Sequence, residues 1–132
     1  MLHFAIIVSI IAIIVLGMLW YSKALFGKTW LANCGLTEKQ LEEEKNKGMV
    51  GTFVTSIFLN LIMVSVLYIL IIISTVDAYL LSILLWIGFI VPVIANSSLW
   101  EKRSWKIFWI NIGYQLVSLL LVSLILSLFG VV

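Results

Sequence analysis

Apolar residues fall along the chain in four long runs, Leu2 to Tyr21, Met49 to Ile73, Tyr79 to Asn96 and Ile107 to Val132, and none of them contains an Asp, Glu, Lys or Arg. At about 1.5 Å of rise per residue, each run is about long enough as a helix to cross a hydrocarbon core of roughly 30 Å. The runs are apolar nearly all round rather than along one stripe, so the medium they suit is lipid; a soluble helical domain would need polar outer faces that they lack. The pattern predicts an all-α integral membrane protein. Its single domain, residues 1–132, would hold four transmembrane helices, at about 2–21, 49–73, 79–96 and 107–132, with an amphipathic cytoplasmic connector over 22–48. The first run lacks the basic leader and small-residue cleavage site of a signal peptide, ending instead in Trp20, Tyr21 and Ser22, and reads as a retained span.

Composition agrees: 64% of residues are hydrophobic and 11% charged, with a mean hydropathy of +1.24, well outside the range of a soluble core. Charge adds orientation. All eight Lys and Arg residues lie in two connections, Lys23, Lys28, Lys39, Lys45 and Lys47 in one and Lys102, Arg103 and Lys106 in the other. Basic loops stay in the cytoplasm, so both termini are expected outside, with a bacterial inner (plasma) membrane as the expected location. So one-sided a bias speaks against a dual-topology dimer. The net charge of +2 gives no reason to expect a nucleic-acid partner; the lysines read as topology determinants with some contact to anionic lipid. Trp20, Tyr21, Trp30, Trp100, Trp105 and Trp109 all fall near the same boundary, where amphipathic rings favour the headgroup level, and read as interface anchors.

The connector divides in two. Lys23 to Leu31 suits a short helix lying in the interface. Thr37 then opens a second helix: Thr37 and Gln40 have capping-box spacing, Leu36 and Leu41 staple spacing, Glu43 stands four residues before Lys47, and Gly48 supplies the stop. It reads as a solvated connector, with docking of a cytoplasmic protein through residues 36–48 as the sharper alternative.

The string GMLWYSKALFGKTW from Gly17 to Trp30, with CGLT from Cys34 to Thr37, resembles the opening signature of the domain-of-unknown-function 1761 family of small four-span membrane proteins. Leu84 to Leu120 is similar to that family's third span, short loop and fourth span, so the likeness covers nearly the whole chain. The resemblance implies an architecture and brings no activity, ligand or catalytic residue. The polar stretch Glu42 to Lys47 departs from it.

Polar groups inside the spans are the remaining candidates for chemistry, because an unpaired one is costly in hydrocarbon. Thr52, Thr55, Ser56, Asn60 and Met63 share one face of the second span, and Asn111, Tyr114, Gln115 and Ser118 one face of the fourth. Counted from the cytoplasmic ends, Asn111, Gln115 and Asn60 lie roughly 8, 13 and 16 Å deep, so they can meet. In the third span Pro92 lacks an N–H, which frees the carbonyl of Gly88 beside Asn96. Asn60, Gly88, Pro92, Asn96, Asn111, Tyr114 and Gln115 are therefore the candidate lining of a pocket open to the cytoplasm and closed outside, with interhelical bonding that holds the bundle together as the plainer reading. Ala5, Ser9 and Ala12, and Ser123, Ser127 and Gly130, form small-residue stripes that suit close packing within or between protomers, and a homo-oligomer is expected.

Residue types set several functions aside. One cysteine, Cys34, makes neither a disulfide relay nor a thiolate metal site, and His3 alone makes no haem or di-iron centre, so no metal and no cofactor is called for. Apart from His3 at the outer edge of the first, no span holds a charged residue, and none has an Asp, Glu, Lys or Arg to carry protons. A Ser-His-Asp arrangement would divide its members between the two membrane faces. Glu101, Lys102 and Arg103 read as a solvated turn, with headgroup binding as the alternative. Three functions stay open: a small channel or carrier for a neutral or weakly charged solute, an interaction module for a protein or lipid beside the bilayer, and a membrane enzyme of unrecognised type.

Orientation is directly testable, because Cys34 is the sole thiol and sits in the basic connector. A membrane-impermeant maleimide should leave it unlabelled in intact cells and label it after permeabilisation; labelling of intact cells would reverse the topology.

Overall fold

The computed structural model describes residues 1–132, and every regular element in it is helical. Helix α1 spans Leu2–Trp20, α2 Gly27–Asn33, α3 Glu38–Asn46, α4 Val50–Ile73, α5 Ala78–Leu85, α6 Val91–Trp100 and α7 Trp105–Leu128. A π-turn, Trp86–Ile90, joins α5 to α6, and the joined segment Ala78–Trp100 is one span. Four segments are long and apolar enough to cross a membrane: α1, α4, Ala78–Trp100 and α7. At 19 to 24 residues they measure about 28 to 36 Å. Large apolar side chains such as Ile11, Val54, Phe58, Ile69 and Phe89 face outward, which makes a surface suited to lipid rather than to water.

The bundle is built on α7. Of its most apolar stretch 44% is buried, against 17% for α1 and α4 and 11% for the third span. Helix α1 packs along it, the third span lies along another side, and α4 leans on α1 and α5. The core collects in the half nearer the chain termini, where Ala5, Ile13, Val64, Leu67, Leu119, Val122 and Leu126 are almost fully buried. In the half that carries the lysines, α4 diverges. From Val50 to Leu59 each of its residues is exposed, and its buried residues are Val64, Leu67 and Ile71.

Local signals explain the element ends. Thr37 and Gln40 complete the expected capping box, and Gly48 stops the connector with φ +94°. Lys47 pairs with Glu44 at 3.5 Å rather than with Glu43, because the last turn of α3 brings the i,i+3 neighbour closer. The interfacial helix starts at Gly27 and not at Lys23, since Ser22 to Phe26 fold into turns, with Gly27 N–H donating to Ser22 O at 2.8 Å. The fourth span ends at Leu128 instead of continuing to Val132: Gly130 takes φ +65°, and the Gly130 and Val131 N–H groups donate back to Ser127 and Leu126, a Schellman stop.

Pro92 does not break the third span. The helix widens into the π-turn just before it, where Val91 N–H reaches back to Trp86 O, and Pro92 then falls in the first turn of α6, where no N–H is needed. The small-residue stripes divide as well. Ser9 and Ser123 are fully buried inside the protomer, whereas Ser127 is exposed.

Two glycines make opposite predictions. A methyl group on Gly27 would lie 2.5 Å from the Tyr21 carbonyl oxygen, while one on Gly88 would meet nothing within 4 Å. Gly27→Ala should therefore lower stability by about 1–3 kcal/mol, and Gly88→Ala should be neutral or slightly stabilising, as read by thermal unfolding in detergent.

Candidate functional site

The lysine-bearing end of the bundle is held together by aromatic side chains of α1 and α7 that reach reciprocally into each other's helices. Trp20 donates its indole N–H to Ile110 O at 3.0 Å and lies on Gly113, where an added Cβ would be 3.1 Å from the ring. In return, Tyr114 donates to Ile13 O at 3.2 Å and lies on Gly17, where a Cβ would be 3.2 Å from its hydroxyl oxygen. Each glycine is small so that the other helix's aromatic can approach the backbone. Trp86 does the same from the third span, donating to Ile112 O at 2.8 Å. In hydrocarbon an indole or phenol without an acceptor is costly, so a backbone carbonyl of a neighbouring helix is a favourable partner.

One residue beyond Trp20, the Tyr21 hydroxyl donates to Asn111 Oδ1 at 2.7 Å, and its ring packs edge-on against Trp30 and Tyr114. Three adjoining clefts meet at Tyr21. The largest, about 730 Å³, runs under the connector between Trp30, Cys34 and the turn Glu101–Ser104. A second, about 420 Å³, lies between α6 and α7 and is lined by Ser97, Ser98, Arg103, Asn111, Tyr114 and Gln115. Tyr21, Arg103, Ile107 and Asn111 line both, so the two make one vestibule at the basic end. The third, about 330 Å³, is a groove between α1 and α4 that holds Phe53, Ser56 and Asn60 beside Tyr21 and Tyr114.

Of the residues expected to line one pocket, Asn111, Tyr114 and Gln115 share the vestibule. Asn60 lies in the α1–α4 groove, on the other side of Tyr114. Gly88, Pro92 and Asn96 are exposed on the outward face of the third span and line none of the three clefts, because the π-turn advances the helix relative to a regular 3.6-residue count. The expected anchors divide too. Trp100, Trp105 and Trp109 project outward with 83%, 49% and 66% of their surface free, as an interfacial belt requires. Trp20 and Tyr21 are half-buried in the contact between α1 and α7, and Trp30 faces the vestibule.

Two vestibule residues were not visible as such in the sequence. Tyr21 passes for an anchor by position alone. Its signal is that it and Asn111 stand at matching depths on antiparallel spans, within bonding reach. Arg103 belongs to the turn after α6, whose path is set by Arg103 N–H donating to Ser98 O at 3.1 Å and by Lys102 at φ +53°. Its guanidinium pairs with Glu101, which also accepts from Ser97 Oγ at 3.2 Å. No cluster of metal-ligating side chains occurs.

Tyr21→Phe keeps the ring but removes the donor to Asn111. It should cost about 0.5–1.5 kcal/mol of stability. The same loss should appear for Asn111→Leu, and the double variant should cost less than the sum, because the two side chains share one bond. Thermal unfolding of the four proteins completes the cycle.

No curated protein and no solved structure matches the chain. The family described as proteins of unknown function, DUF1761, matches residues 4–127. That match includes the Gly17–Trp30 string and the Asn111–Tyr114 face that the string grips. The chain, with its four membrane-span helices, therefore belongs to the DUF1761 family.

Proposed function

We propose that this protein is a small membrane-embedded binding protein of the carrier type, which admits the polar group of a solute or lipid into the vestibule at its basic end. The observation that carries this reading is a one-ended opening. Around Tyr21, Arg103, Asn111 and Gln115 the bundle is cleft, while beyond them Ile13, Val64, Leu119 and Val122 are at most 3% exposed and form a plug. A pore needs a continuous path, and a plug of this kind argues for binding with release to one side or for alternating access. The wall of the second cleft supports the carrier reading. Val93, Ile94, Ser97 and Ser98 lie past the π-turn, while its first residue, Trp86, and the Ser82–Ser123 hydroxyl pair at 2.8 Å before it pin the span to α7. Interrupted helices at a binding site are a recurring device in transporters. With the orientation expected from the lysines, the vestibule opens to the cytoplasm.

A second reading, a docking module for a soluble protein, is favoured by α3, which has a complete capping box and no buried residue.

Hydration separates the binding reading from a dry scaffold. In a Cys34→Ser background, Gln115→Cys should react readily with a small charged thiosulfonate reagent, and Leu119→Cys, inside the plug, should not. An unreactive Gln115→Cys would mean a dry seam and would shift the function to α3.

A further inference from the structure

The vestibule's hydrogen-bonding inventory is lopsided. Tyr21 donates to Asn111 Oδ1, which leaves the Asn111 amide N–H groups facing the cleft. Asn33 already accepts from Ser104 Oγ at 3.3 Å and donates to Thr29 O at 2.7 Å. Glu101, the one carboxylate in the lining, is engaged by Arg103 and Ser97. The groups left without a protein partner are mainly donors: the remaining Arg103 guanidinium nitrogens, the Lys102 ammonium, the Trp30 indole and the Asn111 amide, with Gln115 able to serve either way. Lys102 and Arg103 against Glu101 give the lining a net charge of +1. A space lined this way fits a ligand that is anionic and rich in acceptors.

We infer that the vestibule binds a phosphate group, with Arg103 as its principal contact. The inference rests on the vestibule being a binding site and adds the chemistry of what it takes. A guanidinium fork matches two phosphate oxygens at once, and Glu101 meets Arg103 at Nε, which leaves the terminal guanidinium nitrogens for a phosphate. A compact neutral solute would leave those donors unpaired. The position agrees as well, because the vestibule lies at the end of the bundle where Trp100, Trp105 and Trp109 project outward, the level of lipid headgroups. The groove between α1 and α4 opens from the same Tyr21 and is walled by Ile14, Met18 and Phe53, so a phosphate carried on an acyl chain has an apolar channel beside its head. A phospholipid head and free phosphate present the same group, and the two sources are separable.

The test uses the full chain. In neutral maltoside micelles, inorganic phosphate is titrated against chloride at equal ionic strength; in nanodiscs, phosphatidylglycerol is compared with digalactosyldiacylglycerol, a neutral bilayer lipid without phosphate. The readouts are the unfolding temperature and the rate of Cys34 alkylation, since Cys34 lines the larger cleft. Phosphate or phosphatidylglycerol should raise the first and slow the second. Arg103→Gln should weaken the effect about tenfold or more, with Arg103→Lys in between because it keeps the charge and loses the fork. A response to phosphatidylglycerol alone assigns the group to a lipid, and a response to both shows that the phosphate itself suffices. No response above the chloride and digalactosyldiacylglycerol controls, or an equal response from Arg103→Gln at unchanged stability, overturns the inference. If Gln115→Cys still reacts while these arms fail, the vestibule stands and only its anionic ligand falls.

Discussion

Everything at the basic end of this bundle depends on one constraint: a donor placed in hydrocarbon has to find its acceptor inside the protein. Trp20, Tyr114 and Trp86 meet it by bonding to main-chain carbonyls of neighbouring helices, at Ile110, Ile13 and Ile112. A side chain reaches a carbonyl already engaged in a helix only if the surrounding surface is low. Gly17 and Gly113 provide that beneath Tyr114 and Trp20. Membrane helices gain little from apolar contact with one another, since lipid offers the same contact, so these few polar bonds and close approaches set the register of α1 on α7.

With that register set, the shape of the molecule is largely determined. Antiparallel pairing of α1 and α7 from Trp20–Ile110 to Ala5–Val122 puts small or branched residues opposite one another toward the termini, and the third and second spans close on them. Ser9 and Ser118 fall midway along this seam, fully buried and with hydroxyls that have no partner. Their contribution is size, letting the two helices approach, and not a bond between them. At the other end the same pairing is widened by Trp20, Tyr21, Trp30 and Tyr114. Beside these four rings α4 parts from the bundle, its residues from Val50 to Leu59 all exposed. The plug and the vestibule are thus two results of one residue gradient, small toward the termini and aromatic toward the lysines.

The four spans were legible because length and all-round apolarity need no knowledge of neighbours. The same holds for the Thr37–Gln40 cap and the Gly48 stop, which are set within a few residues. Asn111, Tyr114 and Gln115 were legible as a group because a straight helix keeps its 3.6-residue phase over so short a distance. Gly88, Pro92 and Asn96 share one face as that phase requires, and the face is turned outward. A π-turn inserts extra residues per turn and rotates the helix beyond it, and nothing in the string WIGFI at Trp86–Ile90 signals it apart from the nearby proline. Asn60 shares a groove with Tyr114 but not with Asn111 and Gln115, because azimuth depends on which helices are neighbours and counting residues does not reveal them. The aromatic residues show the same limit. An anchor and an internal lock both place Trp at the interface, and only the helix across from it tells them apart.

The glycine-aromatic signature of the Gly17–Trp30 segment gains a physical meaning from this arrangement. Gly17 receives Tyr114, Trp20 bonds to the main chain of α7, Tyr21 holds Asn111, the Ser22 hydroxyl donates to Leu19 O at 2.6 Å, and Gly27 lets the chain turn back against Tyr21. Trp30, delivered by that turn, packs against the Tyr21 ring. Each of these positions serves the joint between α1, α2 and α7, yet a joint alone would be satisfied by apolar rings and a dry seam. Tyr21 bonds to an amide whose N–H groups face a cleft, and Trp30 faces that cleft with its indole. The segment therefore both fixes the register of the bundle and furnishes one wall of the vestibule. Register and pocket shape are coupled through the same side chains, so any movement of α1 on α7 that accompanied binding would strain the bonds of Trp20, Tyr21 and Tyr114 together.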